Sequence, residues 1–268
     1  MKENFFETLL ELIDASEKHE KYRSEECINL IASEGLKSPA VREIMSLTQD
    51  LESRYAEGEN DLRGHVGKRH YQGQRYITEI ENSVADLTRG LFGCSWVDVR
   101  LVSGTHANLA TFKGLSMATK NNRMVVAPLS CGAHISHDYT GLAGKVIGLE
   151  TIDHAYDVDS MNIDPYKSAV IIRAARPGIV TFGGSVFLFP NPLKELSEIA
   201  REVGAYVVYD AAHVLGLIAG GEFQHPLKEG ADFITASTHK TFPGPQGGVI
   251  LANLEDERME TGIRGVQH

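Results

Sequence analysis

The chain has 268 residues, 42% of them hydrophobic, which is enough to bury the core of one large domain or two modest ones. Its formal net charge of −10 and the lack of a Lys/Arg-rich block argue against a nucleic-acid partner. Three widely spaced cysteines argue against a disulfide framework and a cysteine-based zinc site, and no apolar run is long enough to span a membrane. The charged N-terminus matches neither a signal peptide nor a transit peptide, so we expect a cytoplasmic protein without a membrane partner.

Residues 1–75 are predicted to form an N-terminal helical arm and an active-site loop. Apolar residues at helical spacing over 3–23 indicate an amphipathic helix. Pro39 follows a serine, a pair typical of a helix start, and predicts a helix to about Leu51. Residues 54–74 are Gly-rich and unpatterned, and their closely spaced Tyr, His and Arg side chains favour a functional loop.

Residues 76–268 are predicted to form a large α/β domain. After a helix over about 76–91, short β-branched runs alternate with helical segments, which predicts a mainly parallel, seven-stranded sheet with helices on both faces. The predicted strands are 97–102, 123–128, 145–150, 178–182, 205–210, 232–237 and 247–252, and the predicted helices are 106–118, 164–175 and 192–203. The 164–175 segment contains AVIIRAA, which is also consistent with a strand.

Polar residues follow several of these strands. Ligands of such sheets bind beyond the carboxyl ends of the strands, so these residues are the first candidates for a site. They are Ser103, Gly104, Thr105, Ser185, Asp210, His213, Ser237, His239 and Lys240. One edge of the sheet therefore gathers a helix start, a carboxylate, imidazoles and an amine.

Two of these features have alternative interpretations. Ser103-Gly104-Thr105 is either an ordinary helix cap or a phosphate site made of free backbone N–H groups at a helix N-terminus. Asp210 either caps a turn or holds a pyridine nitrogen protonated. Each feature alone leaves both interpretations open.

Lys240 indicates a site more specifically than these two features do, because it follows an apolar strand that ends at the edge of the sheet. A partly desolvated lysine there can form an imine with an aldehyde cofactor, and a solvated loop lysine is the alternative. The glycines of a P-loop and of a GxGxxG motif are missing, which argues against nucleoside triphosphate and nicotinamide sites. His134 and His137 lack a further ligand cluster, so we predict no metal and expect one imidazole over an aromatic cofactor ring.

Together these residues match what pyridoxal 5′-phosphate needs. Ser103-Gly104-Thr105 would anchor the phosphate, Asp210 would bind the ring nitrogen and Lys240 would form the imine. A serine hydroxyl from one of these strand ends would bond the ring oxygen.

Several longer segments resemble serine hydroxymethyltransferases, in particular the archaeal-type branch. They are INLIASEGLKSP, RYAEG, GKRHYQG, VSGTHAN, GAHISH, FGGSVFLFPNP, VYDAAHVLGLIAG and STHKTFPGPQGG, in the same order as in the family, from about residue 25 to 252. The resemblance implies a fold-type I pyridoxal-phosphate enzyme that interconverts serine and glycine and transfers a one-carbon unit to a reduced pterin, tetrahydrofolate or tetrahydromethanopterin. It also implies a homodimer with composite active sites.

The resemblance assigns roles to individual residues. Lys240 resembles the imine lysine, Asp210 the ring-nitrogen partner and His134 the stacked imidazole, while Ser185 and His213 lie near the ring oxygen. The phosphate region corresponds to Ser103, Gly104, Thr105 and His239, and Ser237 is a further cofactor-binding position.

The substrate side is assigned in the same way. Glu57 resembles the carboxylate for proton transfer, Tyr55 an aromatic residue donated across the dimer, and Ser33 a serine near the substrate carboxylate. The remaining substrate-site positions are Tyr71 in the KRxYxG segment, and Leu129 and Ile135, which flank the pterin.

The chain also departs from the family pattern. Gly35 stands where the family has asparagine, and the 57–69 link is longer than usual. The family's C-terminal small domain, with its carboxylate-binding arginine, is expected to be absent, and Arg264 is not assigned that role. These departures leave two alternatives open: a β-hydroxy amino acid aldolase or transaldolase that uses no pterin, or a fragment that binds cofactor without full activity.

Overall fold

The computed structural model describes residues 2–47, 58–59 and 72–267. The chain divides into two compact units, Met1–Ala32 and Ser33–His268. In the first unit, helix α1 (Lys2–Lys21) is followed by a π-helical turn (Tyr22–Glu26). This confirms the helix predicted over 3–23.

The second unit begins with two helices, α2 (Pro39–Leu47) and α3 (Arg75–Phe92). The Ser38 hydroxyl accepts a hydrogen bond from the backbone N–H of Val41 at 3.3 Å, so the predicted start of α2 at Pro39 is confirmed. The predicted end near Leu51, and most of the predicted loop over 54–74, lie outside the described residues.

The strands of the described residues are β1 (Trp96–Leu101), β2 (Arg123–Val126), β3 (Glu150–Asp153), β4 (Tyr156–Asp157), β5 (Asn162–Ile163), β6 (Ile179–Gly183), β7 (Tyr206–Asp210), β8 (Phe233–Ser237) and β9 (Gly248–Ala252). Seven form one sheet in the order β1-β9-β8-β7-β6-β2-β3, and β4 pairs with β5. Within the sheet only β9 is antiparallel to its neighbours, β1 and β8. The predicted mainly parallel, seven-stranded sheet is confirmed.

The remaining helices are α4 (Gly104–Thr119), α5 (Pro165–Ala175), α6 (Leu193–Glu202), α7 (Leu215–Ala219), α8 (Pro226–Glu229) and α9 (Glu257–Gln267). Helices cover both faces of the sheet, and β7 shows why. Tyr206 and Val208 join the core that contains α4 and α9, while Val207 and Tyr209 join the core that contains α5 and α6. Because alternate residues face opposite sides and both sides are covered, the whole strand is apolar until Asp210.

The structure corrects one predicted strand and decides between helix and strand for the 164–175 segment. The strand predicted over 145–150 is wrong, because Leu142–Ile147 form a π-helical turn and the strand begins only at Glu150. Gly148 ends that turn with φ of +84°, a left-handed conformation that glycine adopts readily and that breaks an extended run. The 164–175 segment is a helix, and α9 was not predicted.

Within the part of the chain that the structure describes, no helix combines the length and the apolar character that crossing a bilayer requires.

Candidate active site

A cavity lies at the carboxyl edge of β6, β7 and β8. β6 and β7 end at the same level, since Gly183 pairs with Asp210, and β8 continues for two residues beyond Thr235, the partner of Asp210. The cavity is lined by Gly104, Thr105, Asn108, His134, Gly184, Ser185, Asp210, Ala212, His213, Ser237 and Lys240. The fold therefore brings together most of the strand-end residues that the sequence singles out.

Asp210 is buried, with 2% of its surface exposed, and accepts hydrogen bonds through both carboxylate oxygens. Its Oδ2 accepts from Asn108 Nδ2 and from His137 Nε2, each at 2.8 Å, and its Oδ1 accepts from the Ala212 N–H at 3.0 Å. Burial by itself opposes ionisation, but these donors outweigh it and hold the pKa of Asp210 well below its usual range. Asp210 is therefore a carboxylate at neutral pH.

Lys240 lies in the loop that follows β8, and its Nζ is 3.1 Å from His213 Nε2. Burial lowers the pKa of the Lys240 amine, and the charge of Asp210 opposes this only in part. Burial, aided by the charge of Lys240, lowers the pKa of His213 to about 4. A neutral His213 thus accepts a hydrogen bond from Lys240, and the amine is easier to deprotonate than an ordinary lysine.

The start of α4 forms another side of the cavity. The Ser103 hydroxyl caps the helix by accepting from the His106 N–H at 3.2 Å, so Ser103 does not line the cavity. The backbone N–H groups of Gly104 and Thr105 have no partner among the described residues. Such free donors at a helix start attract an anion, and a phosphate group fits them.

The structure brings the other predicted site residues near the cavity to different degrees. His239 does not line it, and its Nδ1 is buried without a hydrogen-bond partner among the described residues. Ser33 is exposed, and Leu129 and Ile135 are also exposed on the short turns that flank His134. Tyr55, Glu57 and Tyr71 lie outside the described residues.

Gly35, where the chain departs from the family pattern, contacts the lysine loop. Its N–H donates to the His239 carbonyl at 3.1 Å, and a Cβ built at this position would lie 2.1 Å from the Lys240 carbonyl oxygen. A larger residue would push this segment away from the loop. Arg264 forms an ion pair with Glu260 on the same helix, α9.

Asn108 was not predicted from the sequence as a site residue, and the bond between His137 and Asp210 was not predicted either. Asn108 and His137 are both buried and both bind Asp210. The HISH segment carries a weak signal, because its two imidazoles are three residues apart around one short turn, and their ring centroids lie 6.2 Å apart. Among the described residues, no group of three or more His, Cys, Asp or Glu side chains is placed to hold a metal ion.

Comparison with known proteins agrees with this geometry. The model of the family described as serine hydroxymethyltransferase matches residues 7–266. A serine hydroxymethyltransferase from Pyrococcus horikoshii is 52% identical over 235 residues, which cover 88% of this chain and 52% of the relative. One from Thermococcus onnurineus is 50% identical over 250 residues, which cover 93% of this chain and 56% of the relative. The chain thus spans about half the length of the curated relatives that it matches.

A solved structure gives the same fold. The L-threonine transaldolase from Pseudomonas fluorescens, in its internal aldimine state, aligns with a TM-score of 0.81 and 26% identity. The alignment covers 99% of this chain and 58% of the transaldolase. The chain belongs to the serine hydroxymethyltransferase family of pyridoxal-phosphate-dependent enzymes of fold type I.

Proposed function

We propose that this chain binds pyridoxal 5′-phosphate at Lys240 and serves the interconversion of serine and glycine. The one-carbon unit would pass to a reduced pterin, tetrahydrofolate or tetrahydromethanopterin. One observation carries the proposal: a single cavity holds an amine of lowered pKa and a carboxylate that is kept ionised. These are the two protein groups on which the chemistry of this cofactor depends.

The residues of the cavity fit the cofactor group by group. The free N–H groups of Gly104 and Thr105 suit its phosphate, together with Ser237 on the same wall. The carboxylate of Asp210 suits the ring nitrogen, and Ser185 suits the ring oxygen. His134, His213 and His239 are assigned to the ring face, the ring oxygen and the phosphate region by the family resemblance. When bound, the cofactor supplies an electron sink for bond cleavage at the α carbon of an amino acid.

The protein groups have separate tasks in this proposal. Lys240 would attach the aldehyde, and its lowered pKa leaves more free amine at neutral pH than an exposed lysine would have. Asp210 would hold a proton on the ring nitrogen because it stays ionised. His213, kept neutral by burial, would accept a hydrogen bond from the amine and so orient it.

The remaining roles are also proposals. Glu57 would transfer a proton at the substrate hydroxyl, Tyr55 would reach across a dimer, and Tyr71 and Ser33 would bind substrate. Leu129 and Ile135, both exposed on turns beside His134, would flank the pterin.

We also propose an organisation for the protein. Residues 1–75 would be the arm and active-site loop, and 76–268 the cofactor-binding domain.

A homodimer is supported by apolar side chains of α3 that are exposed in the single chain, among them Ile80 and Leu87. A cytoplasmic location is supported by three free cysteines.

A second function is favoured by the likeness to the L-threonine transaldolase, whose alignment covers 99% of this chain. A β-hydroxy amino acid aldolase or transaldolase would use the same amine and carboxylate without a pterin. Serine turnover measured with and without each reduced pterin separates the two functions. Turnover that depends on a pterin supports the first proposal, and equal rates support the second.

The attachment of the cofactor is tested with Lys240→Ala. In the unchanged chain with pyridoxal 5′-phosphate, we expect a visible absorbance band that borohydride bleaches. Lys240→Ala should lose the band and keep its circular dichroism spectrum, because it removes one half-buried amine. The matched control is Lys194→Ala, which removes an exposed lysine of α6 and should keep the band. A band that persists in Lys240→Ala would remove Lys240 from this role.

A measurement of α-proton exchange in glycine separates an active chain from a cofactor-binding fragment. Exchange by the loaded chain supports catalysis. A bleachable band without exchange would mean that the chain holds cofactor without full activity.

A further inference from the structure

A line of buried hydrogen bonds connects Asp210 with His134. Asn108 Nδ2 is 2.8 Å from Asp210 Oδ2 and 2.9 Å from Ser136 Oγ. On its other side, Asn108 Oδ1 accepts from the Thr235 hydroxyl at 2.6 Å. Because an ionised carboxylate can only accept, the amide nitrogen of Asn108 must face Asp210. The orientation of this amide is therefore fixed by chemistry.

The orientation of the Asn108 amide fixes that of the Ser136 hydroxyl, which in turn contacts His134. The Ser136 side chain is buried, with 1% of the residue exposed, and its Oγ accepts one proton of the Asn108 amide. Its own hydroxyl proton then points to His134 Nδ1, which is 2.7 Å from Oγ. The backbone N–H of Ser136 donates to the same Nδ1 at 3.2 Å. Since a backbone N–H can only donate, Nδ1 carries a lone pair and the proton of the neutral ring is on Nε2.

We propose that Ser136 is a positioning residue that locks His134 in the tautomer protonated on Nε2. His134 then offers the cavity a hydrogen-bond donor and not a base. Nε2 has no hydrogen-bond partner among the described residues, so its proton is available to a bound molecule. The use of this donor in serine and glycine turnover rests on the proposed function, whereas the tautomer does not.

The groups around His134 keep its ring neutral. Burial lowers its pKa, the charge of Asp210 opposes this, and His137 and Lys240 lower the pKa further. His213 also interacts with it across the cavity. Both groups of Ser136 act in the same direction, because its backbone N–H cannot accept from a protonated Nδ1 and its hydroxyl proton must turn away before Nδ1 can take up a proton.

The test is a nitrogen NMR titration of cofactor-free protein labelled with ¹⁵N-histidine, in which His134→Gln identifies the resonance of His134. The wild-type ring should be neutral at pH 7 with its proton on Nε2. Ser136→Ala should raise the pKa of His134 by roughly half to one unit, because one donor to Nδ1 is lost.

Two matched variants control for general effects. Ser130→Ala removes an exposed hydroxyl from the preceding turn and should leave His134 unchanged. Ser136→Thr keeps a hydroxyl at the same position and should retain the wild-type pKa.

A wild-type ring protonated on Nδ1 would overturn the proposal, as would a Ser136→Ala variant that titrates like the wild type. The wild-type tautomer decides the matter even if a variant fails to fold. The correct tautomer in a chain that attaches no pyridoxal 5′-phosphate would contradict the proposed function alone. Attachment in a chain with the other tautomer would contradict only this inference.

Discussion

The two sides of the cavity carry ionisable groups, Asp210 and Lys240, whose surroundings affect their charge states in opposite ways. The carboxylate wall, made of Asp210 and Asn108 and backed by the buried His137, surrounds a buried anion with hydrogen-bond donors. The amine wall, made of Lys240 and His213, gives a half-buried amine one neutral acceptor. Both walls are partly desolvated, yet one pKa moves to favour charge and the other to disfavour it. Burial alone therefore does not set the charge state; the number of donors or acceptors facing each group does.

The position of each wall in the fold explains this difference. Asp210 is the last residue of β7, between β6 and β8, so α4 and the HISH segment can both reach it. Lys240 lies three residues beyond the end of β8, in a loop. A central strand end can collect many partners, whereas a loop position leaves the amine accessible to a ligand.

Asp210→Asn should have the largest effect, because it breaks the carboxylate wall. Whichever way the new amide turns, its NH₂ group faces either the donors of Asn108 and His137 or the N–H of Ala212. Glycine α-proton exchange by the loaded chain should fall by about 100-fold or more, since the charge that the proposed function places at the ring nitrogen is lost. The free energy of unfolding should fall by about 1–3 kcal/mol, as measured by urea denaturation, because buried donors lose their acceptor.

Asp159→Asn is the control for that substitution, since it also neutralises one aspartate but in an exposed turn. It should change neither exchange nor stability. If Asp210→Asn kept wild-type exchange, the carboxylate wall would have no part in the chemistry.

His213→Glu should have an intermediate effect, because it makes the amine wall resemble the carboxylate wall. A carboxylate near Lys240 Nζ would favour the charged amine and raise the pKa of Lys240 by about 1–3 units. Each unit lowers the fraction of free amine about tenfold, so cofactor attachment at pH 7 should slow at least about tenfold. Stopped-flow absorbance after mixing with pyridoxal 5′-phosphate measures this rate.

His213→Gln is the neutral counterpart, which keeps an acceptor without adding charge. It should attach cofactor faster than His213→Glu, and the gap should shrink as the pH rises above the new pKa of Lys240. Equal rates for the two variants at pH 7 would mean that charge on the amine does not limit attachment.

Much of the fold can be predicted from the sequence because its strands are buried on both faces. The runs that became β6, β7 and β8 are mostly apolar, fully buried and bounded by turns, a pattern typical of strands covered on both faces. The segment 145–150 has a similar composition, but the left-handed Gly148 ends its π-helical turn. Apolar composition alone cannot distinguish such a turn from a strand. The reversed direction of β9 follows from its link to β8, which contains no helix for a parallel crossover.

The contacts of the site that join distant segments could not be predicted from the sequence. Asp210 and Lys240 are visible because each follows an apolar strand. Asn108 is 102 residues from Asp210, and His137 is 73 residues from it, so no local pattern shows that they bind the same carboxylate. The tautomer of His134 is one step further away, since it depends on the two bonds that Ser136 makes to Nδ1.

Thr241→Val should have the smallest effect, because it touches only the backbone that supports the amine wall. The Thr241 hydroxyl donates to the His213 carbonyl at 2.9 Å and accepts from the Gly216 N–H at 3.2 Å. Valine keeps the shape and loses both bonds, so the free energy of unfolding should fall by about 1 kcal/mol in urea denaturation. Thr241→Ser keeps the hydroxyl and should stay near the wild-type value. If both variants were equally stable, these bonds would not hold the lysine loop, and packing around Lys240 alone would have to position the amine.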